Sequence, residues 1–153
     1  MGQKVNPHGL RVGIIRNWDS RWFARDDLFG DLVVEDAKIR KFIKSKIANA
    51  GIPKIEIERT ADRVRIIVHC ARPGTVIGKG GAEIGKLRQS IEKLIKKPVA
   101  LTIAEEKRID LNAQLVAERI ALDLEKRISF RRATRQAIDR AMKAGAKGIK
   151  TNV

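Results

Sequence analysis

One cysteine, two histidines, four prolines and no tyrosine occur among the 153 residues. With Cys70 alone, no internal disulfide can form. Its place in the apolar run Ile66-Ile67-Val68-His69-Cys70 reads as that of a buried small hydrophobe. His8, His69 and Cys70 have no metal-ligand spacing, so no zinc site is expected. The opening stretch from Met1 to His8 lacks the apolar segment of a signal peptide, and no run approaches the roughly 20 apolar residues of a membrane span. These absences predict a soluble, intracellular chain. Catalytic patterns are missing as well: no nucleophile–base pair stands out, and the carboxylates are scattered or sit opposite basic residues on helix faces. Two-metal hydrolysis would need clustered carboxylates, and acid–base cleavage a histidine pair. The chain reads as a non-enzyme that needs no cofactor.

What the sequence has in excess is positive charge. Lys and Arg number 33 against 18 Asp and Glu, giving a formal net charge of +15. Hydrophobic residues make up 43%, enough to build a core, so this is not a disordered basic tail. Such a field on a folded protein attracts polyanions, and nucleic acid is the commonest. An anionic membrane surface is the competing partner. It would favour an amphipathic helix with aromatic or Leu anchors opposite its basic residues, and no convincing one is present.

The chain divides into an arm and two units. Residues 1–34 read as a basic, irregular N-terminal arm, interrupted by Pro7, Gly9 and Gly13 and charged by Lys4, Arg11, Arg16 and Arg21. Trp18, Trp22 and Phe23 cluster there, either to fasten the arm onto the domain or to stack on bases. Residues 35–105 form the first unit. A helix begins at Asp36 with Ile39, Phe42, Ile43 and Ile47 on its apolar side, and stops at Gly51 and Pro53. Period-2 alternation predicts strands around Ile55–Ile57 and Val64–Val68, antiparallel across the short Thr60-Ala61-Asp62-Arg63 link. A Gly-rich stretch opens a helix with Ile84, Leu87, Ile91, Leu94 and Ile95 on one face, and Val99, Leu101 and Ile103 make a third strand. An amphipathic sheet covered by helices is an α+β arrangement.

Residues 106–153 begin a second α/β unit. Ala113, Ala117, Ile120, Ala121, Leu124 and Ile128 form one apolar helical stripe, and Phe130, Ala133, Ala137, Ile138 and Ala141 another. Ile149 to Val153 could open a strand. Two helices and one strand cannot bury their own apolar faces, so this unit is expected to be completed by further chain or by a partner.

Two features carry the functional reading. The first is Val76-Ile77-Gly78-Lys79-Gly80-Gly81-Ala82-Glu83-Ile84. A P-loop fails, because only three residues separate Gly74 from Gly78-Lys79 and Gly80 replaces the magnesium-binding hydroxyl. A dinucleotide fingerprint fails at Glu83, where it needs glycine. The G-x-x-G clamp of KH domains fits as Gly78, Lys79, Gly80 and Gly81, flanked by Ile77 and Ile84. Missing Cβ atoms let the backbone approach a sugar-phosphate chain, helix N-terminal amides favour phosphate, and Lys79 adds a full charge. With 4% aromatic residues, a base-stacking sheet is a poor alternative. The bland reading is a turn joining strand to helix. The second feature is the segment from Lys126 to Lys150, with nine Lys or Arg and one acid, Asp139. Arg131, Arg132 and Arg135 lie three and four residues apart on one helix face, where like charges repel and a polyanion would relieve them. The bland reading is a solvated face, although such faces normally mix signs.

With these residues in hand, the chain resembles the family of bacterial-type small-subunit ribosomal protein three. The resemblance is carried by Met1-Gly2-Gln3-Lys4-Val5-Asn6-Pro7, Trp18 with Trp22-Phe23-Ala24, Ala71-Arg72-Pro73-Gly74, Phe130-Arg131-Arg132-Ala133 and Gly145-Ala146-Lys147-Gly148-Ile149-Lys150, and it spans essentially the whole chain. It implies a type II KH domain of order α-β-β-α-α-β, followed by the start of an α/β domain whose relatives continue past Val153. It further implies a cytoplasmic, ribosome-bound constituent of the small-subunit head. Its implied partners are small-subunit rRNA, mRNA and ribosomal proteins two, ten and fourteen. Basic residues matching Arg131, Arg132 and Arg135 are implied to hold mRNA at the entry channel. A free-standing KH-type RNA regulator or chaperone is the alternative.

Overall fold

The alternating segment between residues 54 and 70 builds the centre of a sheet. In the computed structural model, which describes residues 2–60 and 62–153, β2 (Lys54–Arg59) and β3 (Val64–Cys70) pair antiparallel, with Ile57 opposite Ile66 and Ile55 opposite Val68. The side-chain period of two sends Ile55, Ile57, Val64, Ile66, Val68 and Cys70 to one face, where each is 4% exposed or less. β4 (Val99–Glu105) lies parallel to β3, with Leu101 beside Ile66, and a short β1 (Ser20–Arg21) lies parallel to β2. The sheet order is β1-β2-β3-β4. Parallel pairing of β3 with β4 demands a crossover, and two helices supply it. These are α3 (Pro73–Ile77) and α4 (Ala82–Ile95).

Together with α2 (Asp26–Lys46) they cover the apolar face. Ile39 and Ile43 of α2, Val76 of α3, and Leu87, Ile91 and Ile95 of α4 join the sheet residues in one buried cluster. Each such side chain contributes about 1.5–3 kcal/mol on burial. The order α2-β2-β3-α3-α4-β4 is the expected α-β-β-α-α-β, and the fold is α+β. Beyond β4 come α5 (Ala113–Glu125) and α6 (Phe130–Lys143), which pack on each other.

Several expectations need correction. α2 starts at Asp26, not Asp36; Asp26 and Asp27 complement the helix dipole in its first turn. Its first turns leave Leu28, Phe29, Val33 and Val34 exposed, so no burial stripe marks them. The arm is not wholly irregular either. It holds β1 and α1 (Pro7–Arg11), capped by the His8 amide donating to Asn6 Oδ1 at 2.9 Å. On α4, Leu94 is exposed rather than inward. On α5 the Ala113, Ala117 and Ala121 stripe is exposed, while Leu115 is buried with Ile120. Leu115 packs close to Gly51, where a Cβ would meet its Cδ2 at 3.3 Å. On α6, Ala133, Ala137 and Ala141 face inward as expected, and Phe130 does not. Residues 149–153 form no strand. They run beside α5 and line, with Val116, Ala117 and Ile120, a groove of about 380 Å³. Met1 and Ala61, on which part of the arm motif and of the hairpin link were read, lie outside the described residues.

Candidate nucleic-acid interface

The loop between α3 and α4 is built from left-handed backbone. Gly78, Gly80 and Gly81 have φ of 70°, 64° and 78°, a region costly for residues with a Cβ. α3 closes with the Gly78 amide donating to Gly74 O at 3.0 Å. The glycines then divide by role. A Cβ at Gly78 would lie 2.6 Å from Glu83 Cγ and 3.0 Å from Glu83 Cβ, so this glycine is required by the turn itself. A Cβ at Gly80 would meet nothing within 4 Å, so there only the left-handed backbone, and not crowding, favours glycine. Gly81 caps α4 without any side-chain hydrogen bond, which leaves the first amides of that helix available. Glu83 in the first turn pairs with Lys86 at 3.1 Å. The Lys79 side chain lies outside the described residues.

These packing differences make the clamp testable. Lys79→Asp with Gly80→Asp changes the loop charge by −3, two units at Lys79 and one at Gly80. Aspartate tolerates left-handed backbone better than most residues. RNA affinity should fall by about tenfold or more while the melting temperature moves by only a few degrees. Filter binding and thermal melts check this; a collapse in stability with unchanged affinity would support the turn-only reading.

The second cluster sits on α6. Ala133, Ala137 and Ala141 recur every four residues on its buried side, and Arg131, Arg132 and Arg135 are exposed. The Arg131 guanidinium carbon lies 5.7 Å from the Phe130 ring centroid. Among the described residues no carboxylate pairs with any of the three; carboxylates pair instead with Arg21, Arg59, Arg65, Arg88 and Arg119. The loop packs on α3 and α4, and α6 on α5 and the Ile109–Leu111 turn, so the two clusters belong to separate parts of the chain.

A buried centre that sequence reading missed ties the arm to the domain. Asp36 is 2% exposed and accepts from Ser20 Oγ at 2.8 Å, Trp22 Nε1 at 2.8 Å and Arg59 Nε at 3.0 Å. Arg59 also reaches Glu35 at 2.9 Å, and Arg40 donates to Ser20 Oγ at 2.6 Å. Trp22 therefore fastens the arm, whereas Trp18 and Phe23 are exposed. The available signal was Asp36 standing three residues before Ile39, on the buried stripe of α2.

The outer face of the sheet carries a charge ladder: Arg21 to Glu56 and Glu58 at 2.7 and 2.6 Å, Lys54 to Glu56 at 2.7 Å, and His69 to Glu56 at 3.5 Å. Burial pushes the Glu56 carboxyl up, but the Lys54 bond and charge, Arg21 and His69 outweigh it and hold Glu56 below its ordinary value. A lowered folded pKa means Glu56 adds stability that is present above the unfolded value, about 4.3, and lost as pH falls through the folded one. Acid melts of the native chain should therefore drop more steeply below about pH 4.3 than those of Glu56→Gln. Parallel curves would remove Glu56 from the account.

Among the described residues no group of three or more His, Cys, Asp or Glu could hold a metal ion, and no helix is long and apolar enough to cross a membrane.

Fold and loop together define a KH-type RNA-binding protein with a second unit appended. Residues 38–111 match the family described as KH domain, and residues 120–153 match ribosomal protein S3, C-terminal domain. The chain is 60% identical over 151 residues to small ribosomal subunit protein uS3 of Agathobacter rectalis, covering 99% of this chain and 69% of the relative. It is 58% identical over 153 residues to the uS3 protein of Clostridioides difficile, covering 99% and 56%. With that of Desulforudis audaxviator it shares 55% over 153 residues, covering 100% and 70%. The chain belongs to the small ribosomal subunit protein uS3 family, whose members are structural proteins and not enzymes. It spans between 56% and 70% of the length of these three relatives.

Proposed function

We propose that the chain is a structural constituent of the head of the small ribosomal subunit that binds small-subunit rRNA and helps form the mRNA entry channel. On the cytoplasmic ribosome its neighbours would be ribosomal proteins two, ten and fourteen, and α6 would contact mRNA. The observation that carries the mRNA assignment is the exposed trio Arg131, Arg132 and Arg135 without carboxylate partners among the described residues. An isolated helix loses a few tenths of a kcal/mol for each like-charged pair at such spacing, a cost that phosphate contact would reverse. The Gly78 to Gly81 loop supports a second contact, because open backbone at Gly80 admits a sugar-phosphate chain.

The chain should co-sediment with small subunits after a moderate salt wash; recovery only in the free pool would sink the reading. Within assembled particles, Arg131→Ala with Arg132→Ala should slow translation of structured mRNA more than it reduces subunit assembly. Equal losses in both would refute the channel role and leave a purely architectural one.

A further inference from the structure

We propose that Arg127, in the turn between α5 and α6, is a further RNA-contacting arginine, whose guanidinium takes a phosphate of the strand held by Arg131, Arg132 and Arg135; this rests on the reading of α6 above. The residue type is unusual for its backbone. Among the described residues only Lys96 and Arg127 combine a positive φ with a side chain, and only Arg127, at 61°, adjoins the arginine trio. Its amide donates to Leu124 O at 2.8 Å, and the next amide, of Ile128, donates to Asp123 O at 3.0 Å. This pair of bonds closes α5 with the residue after the cap left-handed. Glycine usually fills that position, because a Cβ is crowded there. An arginine persists in such a conformation only where the surrounding turn imposes it, and residues held that way gather at functional sites.

Two gains within the chain could offset the strain. A cation at a helix C-terminus is favoured by the helix dipole. Lys126, the cap residue itself, already supplies that charge on ordinary backbone, with φ of −76°. An ion pair is the other gain, and it is missing. Asp123 and Glu125 stand close by in the sequence, yet among the described residues no carboxylate pairs with Arg127, whose side chain is exposed. The remaining use for the guanidinium is a ligand from outside the chain. Phe130 opens α6 just beyond, with Arg131 and Arg132 in its first turn. Arg127 and Arg131 are therefore no more than about 15 Å apart along the chain. No acid occurs between Glu125 and Asp139, so the charge runs unbroken across the turn and one phosphate chain can meet all of it.

Arg127→Gly tests this because it should not trade binding for stability in the usual direction. The melting temperature should hold, or rise by about a degree or two, since glycine suits the turn. Affinity of the full chain for single-stranded oligouridine should nevertheless fall about fivefold at about 0.1 M salt, with the slope of log affinity against log salt flattened by about 0.7, the share of one phosphate. Arg127→Lys keeps the charge and should keep the slope. A native slope in Arg127→Gly, a melting temperature lowered by several degrees, or a slope flattened as much by Arg127→Lys would each overturn the inference. The triple alanine variant of Arg131, Arg132 and Arg135, titrated alongside, tells the two readings apart. If it flattens the slope and Arg127→Gly does not, this inference alone fails; if it keeps the native slope, the reading of α6 has failed.

Discussion

Replacing Asp36 with alanine should lower folding stability by about 3–5 kcal/mol, the usual cost of removing one partner from a buried ion pair. Both members are deeply placed, with the Arg59 side chain 7% exposed and that of Asp36 3% exposed. Once Asp36 is gone, Arg59 keeps only Glu35, and the Trp22 indole N–H and the Ser20 hydroxyl lose their acceptor. The loss should appear as a fall in melting temperature of about 10 °C or more. It should also be local before it is global, because Ser20 and Trp22 are the links that hold β1 and the arm on α2. Trp22 fluorescence, read in a Trp18→Phe background, should shift toward a solvated indole at temperatures where the helical signal is intact. Asp36→Asn keeps the shape and acceptor oxygen but leaves Arg59 without its closest counter-charge, so it should fall between native and alanine. Asp36→Leu with Arg59→Met should recover part of the loss, since an apolar pair of similar volume avoids desolvating two charges. If Asp36→Ala melts within a degree or two of native, the centre contributes nothing to holding the arm.

The same centre shows what sequence could and could not convey. Alternation of Ile55 and Ile57 with Glu56 and Glu58 was readable because one face of the sheet is buried and the other wet, and a period of two follows directly. Leu87, Ile91 and Ile95 were readable for the equivalent reason on a helix. Asp36 was read only as the start of a helical pattern, because its value lies in Arg59, 23 residues away, and in an arm that the pattern left irregular. The true start of α2 was hidden because Leu28, Phe29, Val33 and Val34 face outward, so the helix there has no burial period to detect. On α5 the alanines misled: Ala113, Ala117 and Ala121 keep helical spacing yet are exposed, whereas Leu115, off that stripe, is buried close to Gly51 of the first unit. In the loop, the G-x-x-G spelling was visible, but the difference between Gly78 and Gly80 depends on where Glu83 sits in space.

For the α6 arginines, the expected result is a change in both the strength and the salt dependence of RNA binding. Three exposed guanidiniums that each neutralise one phosphate of a single strand add about 0.7 apiece to the slope of log affinity against log salt, or about 2 together. Because that term vanishes near 1 M salt, it amounts to about 100-fold in affinity at 0.1 M and about tenfold at 0.3 M. Arg131→Ala, Arg132→Ala and Arg135→Ala combined should therefore weaken single-stranded RNA binding by these factors and flatten the slope by about 2. Folding should be barely affected, since none of the three is buried and removing like charges spaced three and four apart relieves rather than costs. Replacing all three by lysine separates charge from shape: the slope should return, because it counts charges, while any contact that needs the planar guanidinium fork stays weakened. The measurement is a salt titration of affinity with the native, alanine and lysine chains. An alanine variant whose slope matches the native chain would place these arginines off the RNA, whatever its effect on translation.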